Sequence, residues 1–342
     1  MRSIQHHWLP ALFAIGFAST LHAQDRFVRS GDKAHAAMAY KQAVTHYEQA
    51  ALKGAAYPTF ARNLADSYDR LHDPTNAAKW YQVVVQLPDA RDIDLYAYSR
   101  SLRAIGDYDA ADRWLAQYQE RTATDSRILR QQDAVGFAKR SGNGSGCTVR
   151  NLAINTADNE MGTSYHGEQL VFASDRGAAG AEERLHAWNA RPFLDLYTST
   201  QHPDGSLGTP EVLEELNTKY HESNATFSAD GLLVYFTRND HHQGRTGQDD
   251  RGVVNLRIYQ RSLRNGAWCD ETPFIHNSDH WSVGHPCLDA QGDRLYFASD
   301  RTGGMGGTDI WYCERTEGGW GTPTNLGPVV NTEGDELFPS ID

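Results

Sequence analysis

Two carboxylate–guanidinium pairs, Asp175-Arg176 and Asp300-Arg301, occupy the same place in two copies of a repeated segment. Such a pair could take part in acid–base chemistry. At the end of a strand, however, it more often closes a turn through charge-assisted hydrogen bonds. The third copy has Arg238-Asn239 instead, as expected of a turn that tolerates variation. We therefore predict a structural role for these residues.

A second group with possible chemistry is Asp240-His241-His242, with Asp249-Asp250 close by. Imidazoles and carboxylates are suitable metal ligands, but adjacent His residues on a strand face opposite sides. A solvated loop is the favoured interpretation, and no metal site is predicted. The sequence also lacks a G-x-S-x-G elbow, a P-loop and a dinucleotide fingerprint. We predict no catalytic residue and no cofactor.

The carboxylate–guanidinium pairs belong to a segment that occurs three times in the second half of the chain. Each copy has an aromatic strand containing Phe172, Phe236 or Phe297, and these residues lie 64 and 61 positions apart. Such a period indicates stacked units that cannot bury their apolar faces alone. Four short antiparallel strands fit one period, which is the content of one β-propeller blade.

The order of strands in each unit is also predicted. First strands are expected at 224–227 and 285–288, and the Phe-containing strand comes second. A polar residue opens each third strand and an Asn-x pair ends each unit: Asp195 and Asn217, Asn255 and Asn277, Asp309 and Asn331. Asn151-Leu152 is predicted to be a closing outer strand, and 336–342 the first strand of a fourth blade. We expect the natural protein to continue, because three blades do not close a ring.

Residues 24–140 show helical spacing and a second repeat, of 34 residues. Ala43, Ala77 and Ala111 are in register, and Asp73-Pro74 and Gly106-Asp107 mark turns between paired helices. The pattern resembles tetratricopeptide repeats (TPR), with three units over about 24–125 and a further short helix near 125–135.

This resemblance implies a concave face that binds peptides or partner proteins. By register, the face carries six residues that we predict to bind a partner: Arg62, Asp66, Asp69, Tyr96, Arg100 and Arg103. The alternative left open is that they are solvated charges on a spacer.

The first 23 residues have the character of an export signal. Arg2 precedes an apolar stretch at 8–21, and Ala23 offers a small residue before a cut at Gln24. The stretch is too short to span a bilayer, and no Cys lies near the cut to carry a lipid. We expect an exported, periplasmic protein without a transmembrane segment.

The charge and the cysteine content argue against nucleic-acid binding, a zinc site and one of the possible disulfides. The net charge of -12, without a basic cluster, argues against a nucleic-acid partner. The four cysteines fit no zinc motif. Cys287 and Cys313 are expected on strands separated by another strand, about 9.5 Å apart, which is too far for a disulfide. The other two cysteines are Cys147 and Cys269. We expect mostly free or buried thiols among the four.

The predicted fold class is therefore α+β multidomain. A signal peptide at 1–23 is followed by an all-α TPR superhelix at 24–140 and a Gly/Ser linker at 141–146. An incomplete all-β propeller of about three four-stranded blades occupies 147–342.

Segments 217–224, 282–286, 303–310, 325–327 and 331–334 resemble the TolB-like, WD-type propeller of OmpA-family envelope proteins from Bacteroidetes-type bacteria. In that family, which includes the PorE-type component of type IX secretion, the propeller precedes a carboxypeptidase-regulatory-like domain and an OmpA-like domain. The resemblance implies envelope or secretion-machinery partners and association with the outer membrane. Peptidoglycan is expected to be bound only through the C-terminal domain, which this sequence lacks.

The leading hypothesis is a non-enzymatic scaffold that docks partners through the TPR groove and the propeller rim. The alternative is a propeller that binds or cleaves a glycan or peptide, with the TPR part as an adaptor. A third option is a degenerate fragment without a folded propeller.

Overall fold

The computed structural model describes residues 11–122, 125–128, 150–177, 185–242, 245–250 and 252–341. The chain divides into two compact units, residues 1–128 with 186–191 and residues 129–185 with 192–342. The predicted linker at 141–146, Cys147 and most of the predicted helix at 125–135 lie outside the described residues.

The first unit is helical, and its helices pack as consecutive pairs. Among the described residues no helix combines the length and the apolar character needed to cross a membrane. The helices are α1 (Ala11–Ala36), α2 (Tyr40–Leu52), α3 (Ala61–Arg70), α4 (Pro74–Val84), α5 (Asp92–Ala104) and α6 (Tyr108–Arg121), with a short 3-10 helix at Tyr57–Thr59.

The 34-residue register determines how these helices pack. Ala43, Ala77 and Ala111 are fully buried, as the repeat predicts, so the paired helices can approach closely. Tyr47, four residues after the first of these, is also fully buried. A Cβ at Gly31 would overlap the Tyr47 ring, which explains glycine at this place in α1.

The predicted turns between paired helices are confirmed. Asp73 precedes α4, and its Oδ1 accepts a hydrogen bond from the Asn76 N–H at 3.1 Å. Asp107 precedes α6 and accepts in the same way from Ala110 at 3.2 Å. Each carboxylate pairs with a backbone donor that the first helical turn leaves unpaired, so each Asp fixes where the second helix of its pair begins.

The second unit consists of antiparallel sheets. A first sheet has the order β1-β2-β3-β4, a second β5-β6-β9-β10, and a third β11-β12-β13, in which β14 and β15 both pair with β13. The strands are β1 (Glu160–His166), β2 (Gln169–Ser174), β3 (Asp195–Thr200), β4 (Glu211–Val212), β5 (Glu222–Phe227), β6 (Leu233–Asn239), β7 (His241–His242), β8 (Arg245–Thr246), β9 (Leu256–Arg264), β10 (Ala267–Pro273), β11 (Val283–Leu288), β12 (Arg294–Ser299), β13 (Asp309–Thr316), β14 (Gly319–Trp320) and β15 (Thr324–Asn325). Helices followed by antiparallel sheets confirm the coarse α+β prediction.

Side chains that alternate between the two faces of a second strand pack one sheet against the next. Phe236 and Val234 on β6 are buried against Val171 and Leu196 of the first sheet. Tyr235, between them, belongs to the cluster shared with the third sheet. Successive side chains of a strand point to opposite faces, so the second sheet is apolar on both sides and needs a neighbour on each.

Two predicted strands are not formed. Asn151-Leu152 and residues 336–341 have no assigned secondary structure, so both predictions were wrong. A strand is stabilised by hydrogen bonds to a partner, and neither segment has a partner strand among the described residues.

The cysteines follow the predicted arrangement. Cys287 pairs with Tyr296 of β12, and Cys313 pairs with Leu295 of the same strand, so β12 separates them. The three described cysteines, Cys269, Cys287 and Cys313, are free thiols.

An asparagine ends each repeat and pairs with the backbone of one residue in the third strand. Its side-chain nitrogen donates to that residue's carbonyl at 2.8–3.1 Å, and its Oδ1 accepts from the same residue's N–H at 2.8–3.0 Å. We call this arrangement the Asn clasp. The pairs are Asn217 with Leu196, Asn277 with Ile258, and Asn331 with Ile310.

The residue after the clasp fixes the start of the next unit. The Thr218 hydroxyl and N–H donate to the Glu222 carboxylate at 2.8 and 3.0 Å. The Thr332 hydroxyl and N–H donate to Glu336 in the same way, and the Thr156 hydroxyl donates to Glu160 at 2.6 Å. This Thr-x-x-x-Glu spacing was missed in the sequence, where only the Asn-x pair was recognised.

Replacing Asn277, the asparagine of the second of the three clasps, should destabilise the second unit, which we call the sheet unit. Asn277→Ala leaves the N–H and the carbonyl of Ile258 without their side-chain partner, and we expect a loss of about 1–3 kcal/mol in the free energy of unfolding. Urea titration followed by tryptophan fluorescence measures it. The exposed Asn151 provides the control: Asn151→Ala should be neutral, and equal midpoints for the two variants would contradict a structural role for the clasp.

Candidate functional site

The six predicted partner-binding residues lie on two neighbouring first helices. Arg62, Asp66 and Asp69 follow one another at i, i+4 and i+7 on α3, which places them on one helical face. Tyr96, Arg100 and Arg103 repeat the same spacing on α5.

Four of the six make hydrogen bonds or ion pairs that link α1, α3 and α5. Asp66 Oδ2 lies 2.8 Å from His35 Nε2 on α1, and Asp69 Oδ2 lies 3.9 Å from Arg100 on α5. Arg62 Nε donates to Asp94 on α5 at 3.1 Å. We call this row of three contacts the charge ladder: the hydrogen bond His35–Asp66 and the ion pairs Asp69–Arg100 and Arg62–Asp94.

The other two residues have their contacts with α6 and its surroundings. The Tyr96 ring lies 5.3 Å from that of Tyr118, with the Arg127 guanidinium 4.8 Å from its centroid. Arg103 donates to Asp112 on α6. The structure therefore brings Arg62, Asp66, Asp69 and Arg100 into one row and gives Tyr96 and Arg103 different neighbours.

The pairs of the ladder differ in exposure, and Arg62–Asp94 is the most buried, with side chains 22% and 2% exposed. Burial raises the pKa of Asp66, but the hydrogen bond from His35 and the charge of Arg70 outweigh it, so the pKa lies below its ordinary value. The Arg100 and Asp69 side chains are 53% and 26% exposed. Pairs of this kind contribute about 0–1 kcal/mol, so an incoming charged group can replace one partner at small cost.

The carboxylates singled out in the repeated segment have structural roles, as predicted, but they bind the backbone just before a first strand and do not close a turn. Asp175 accepts hydrogen bonds from the Asn159 N–H and side chain, both at 2.7 Å. Asp300 accepts from the Ser282 N–H at 2.7 Å. Asn239, in the third copy, accepts from His221 at 3.2 Å. An amide oxygen can therefore take the place of the carboxylate.

The Asp/His group is occupied by contacts within its own sheet unit. Asp240 pairs with Arg257 at 2.8 Å, and His241 Nδ1 lies 3.2 Å from the Thr246 hydroxyl. Asp249 accepts from the Val253 N–H at 2.9 Å. Across the described part of the chain, no three His, Cys, Asp or Glu side chains are grouped so as to hold a metal ion.

Sequence reasoning missed a buried ionic cluster in the second sheet. Arg238 is 2% exposed and forms a two-pronged pair with Glu271, at 2.7 and 3.1 Å. Its guanidinium also lies over the Tyr259 ring at 4.0 Å. Burial raises the pKa of Glu271, but Arg238 and Arg261 outweigh it and bring that pKa down to about 2. Charged residues spaced 33 apart gave no signal in the sequence.

Glu222 is the unusual member of this cluster, because it is fully buried. Its carboxylate lies 3.8 Å from Arg238 and accepts two hydrogen bonds from Thr218. Loss of solvent outweighs these favourable contacts and raises the pKa of Glu222 to about 8. The group is therefore protonated in the folded chain at neutral pH.

The sheet unit also contains two cavities of about 550 Å³ each. One lies between the third sheet and the C-terminal segment, lined by residues that include Tyr296, Leu326 and Leu337. The other is lined by the first strands β1, β5 and β11 together with 338–341.

Comparisons with known proteins give little beyond this geometry. No protein-family model matches the chain, and no curated protein matches it. Among solved structures, one that is similar to part of the chain is the crystal structure of a thermostable family-43 glycoside hydrolase, with a TM-score of 0.34 and 11% identity. The match covers 49% of this chain and about half, 54%, of that one. A likeness this weak carries no argument about fold or function.

The Glu222 carboxyl should make stability depend on pH. Its folded pKa of about 8 exceeds the ordinary 4.5, so the stabilisation is full below 4.5 and is lost as the pH rises through 8. Between about pH 6.5 and 8.5 the free energy of unfolding should fall by up to about 1.4 kcal/mol per pH unit. Glu222→Gln, which mimics the neutral acid, should flatten this slope in urea titrations.

A second variant separates protonation from packing. Glu271→Gln removes the charged partner of the buried Arg238, so it should destabilise the protein by roughly 3–5 kcal/mol even below pH 6.5, where Glu222→Gln should have little effect. If Glu222→Gln keeps the slope of the parent protein, the assignment to Glu222 is wrong.

Proposed function

We propose that this chain is a non-enzymatic scaffold that binds partner proteins through its helical unit. The observation that carries this proposal is the charge ladder. Polar and charged side chains on three successive first helices lie in one row, all but Asp94 partly exposed, and their mutual contacts hold them in position. Charges of both signs, fixed on helices, suit the recognition of a segment that also carries both signs.

The ladder supports binding for an energetic reason. A pair such as Asp69–Arg100 is weak because water reaches it. A partner that supplies a carboxylate to Arg100 and a cation to Asp69 replaces one weak pair by two and removes water from both. Preorganised side chains lose less entropy on binding than free ones. The internal pairs therefore keep the face ready for a ligand.

In this proposal the helical pairs are TPR units and the three sheets are blades of a TolB-like, WD-type propeller. The buried Ala residues at 34-residue spacing support the first assignment, and the repeated strand order and Asn clasp support the second. Export to the periplasm, association with the outer membrane and a role linked to type IX secretion are proposed from the sequence resemblance. Envelope or secretion-machinery proteins are the proposed partners.

Site-specific photocrosslinking in intact host cells tests the proposal. A photoreactive amino acid at position 100, on the ladder, should give a discrete crosslinked protein band. The control is position 121, because Arg121 is similarly exposed (51%) and also forms a helix–helix ion pair, with Asp92 on α5, but lies on α6. Position 121 should give a faint band or none.

A charge change adds a second measurement. Asp69→Lys reverses one charge of the ladder and should reduce the crosslink from position 100 at least about tenfold, since close charge pairs at interfaces contribute more than 1.4 kcal/mol. Identical bands from positions 100 and 121, or a crosslink that survives Asp69→Lys, would count against partner binding by this face.

A further inference from the structure

The first strands of the three sheets line one cavity of about 550 Å³. Its wall comes from β1, β5 and β11 and from residues 338–341, and we call it the first-strand cavity. Each of these strands is the outermost strand of its own sheet on that side. A volume of this size is typical of small-ligand sites.

Each first strand is irregular at the same place. The pairing register shifts between Met161 and Ser164 in β1, between Ser223 and Ala225 in β5, and between Gly284 and Cys287 in β11. Bulges re-aim side chains and are common beside functional sites. The bulge residues are Gly162, Asn224 and His285, and Phe338 holds the corresponding place two residues after Glu336.

Gly162, Asn224 and Phe338 line the cavity, and His285 lies against Phe338. A Cβ at Gly162 would overlap Asn224, and Asn224 Nδ2 lies 3.5 Å from the Pro286 carbonyl. The His285 and Phe338 rings stack with centroids 3.9 Å apart. His285 and Phe338 both have positive φ, +54° and +53°, a costly conformation for these residue types. Strain of this kind is concentrated at ligand sites.

Polar atoms without a partner surround the cavity. Within the described residues, Asn224 Oδ1, Ser164 Oγ and His285 Nδ1 are buried and make no hydrogen bond. Asn224 and His285 are each only 8% exposed, and Asn224 and Ser164 line the cavity. A buried polar atom left without a partner destabilises the fold, and an atom of this kind in a native protein calls for a reason other than packing.

The cavity is neutral and partly aromatic. Its described lining contains no Asp, Glu, Lys or Arg side chain. Burial lowers the pKa of His285 to about 4, so its ring is uncharged at neutral pH. Tyr165 and Phe338 line the cavity and are 56% and 40% exposed. An ionic ligand would find no counter-charge here, whereas hydroxyl groups and C–H faces would find acceptors and rings.

We propose that the first-strand cavity binds a neutral oligosaccharide. Sugar hydroxyls exchange hydrogen bonds with the exposed hydroxyls of Thr163 and Ser340 in the lining, and the C–H face of a pyranose ring packs on Tyr165 or Phe338. This is a ligand-binding function in addition to partner docking by the helical unit. It uses different residues and does not depend on that docking.

A neutral peptide fits the same cavity less well. Extended peptides bind the edge of a sheet by continuing its ladder of hydrogen bonds. All three first strands interrupt that ladder with a bulge near the middle, and bulges discourage edge pairing. A ligand that uses side-chain groups and ring faces, and not a continuous backbone edge, is therefore favoured.

Isothermal titration of the full chain tests the proposal. The probes are cellotriose and triacetylchitotriose, both neutral, with the trianion trigalacturonate and the neutral peptide acetyl-Thr-Val-Ser-Val-Thr-amide as comparisons. Binding of at least one neutral trisaccharide below about 10 mM is expected, and neither comparison should bind. Binding of the peptide alone, binding of trigalacturonate alone, or binding of no probe would overturn the proposal.

Variants locate the site. Tyr165→Ala and Phe338→Gly each remove an exposed ring and should weaken binding roughly tenfold, the equivalent of about 1.4 kcal/mol. Glycine is chosen at 338 because it accepts the positive φ. Tyr108→Ala, at a 59% exposed tyrosine of the helical unit, is the control and should bind as the parent protein does. Unchanged affinity in both site variants would show that the sugar binds elsewhere.

Discussion

The sheet unit depends on one side-chain interaction, the Asn clasp. Each asparagine binds both polar groups of one residue in the third strand, which fixes where the outer part of one repeat meets the start of the next. After the first and third of these asparagines, a Thr then binds a Glu four residues further on, Glu222 at the start of β5 and Glu336 in the C-terminal segment. Because the second sheet buries both faces against its neighbours, an error at the junction before it would shift its register and move its apolar side chains to the wrong face.

The need to fix these junctions explains why polar and charged residues that could take part in catalysis instead stabilise the fold. Asp175, Asp300 and Asn239 all hold the backbone just before a first strand, so a carboxylate and an amide are interchangeable there. Catalysis would not tolerate that exchange. Arg238 and Glu271 also serve the fold, since Arg238 is buried and needs a charged partner.

Features repeated along the chain could be predicted, and features created by distant contacts could not. The 34-residue spacing predicted the buried Ala43, Ala77 and Ala111, and the 61–64-residue spacing predicted the order of the strands. Sequence similarity to other copies of the repeat gave wrong strand predictions at Asn151-Leu152 and 336–341, because a strand also needs a partner strand. The pairing of Arg62 with Asp94 and the bulges at Asn224 and His285 depend on packing between units of the repeat, for which the sequence has no local signal.

The charge ladder and the first-strand cavity use opposite physical principles. Exposed ion pairs are weakened by salt, with a screening length of about 8 Å at physiological ionic strength. Hydrogen bonds and ring contacts in a cavity without charged side chains have no such dependence. If each surface binds its own ligand, added salt should release a partner from Arg100 and Asp69 while a sugar stays bound near Asn224. Salt therefore distinguishes two independent sites from a single surface that binds both ligands.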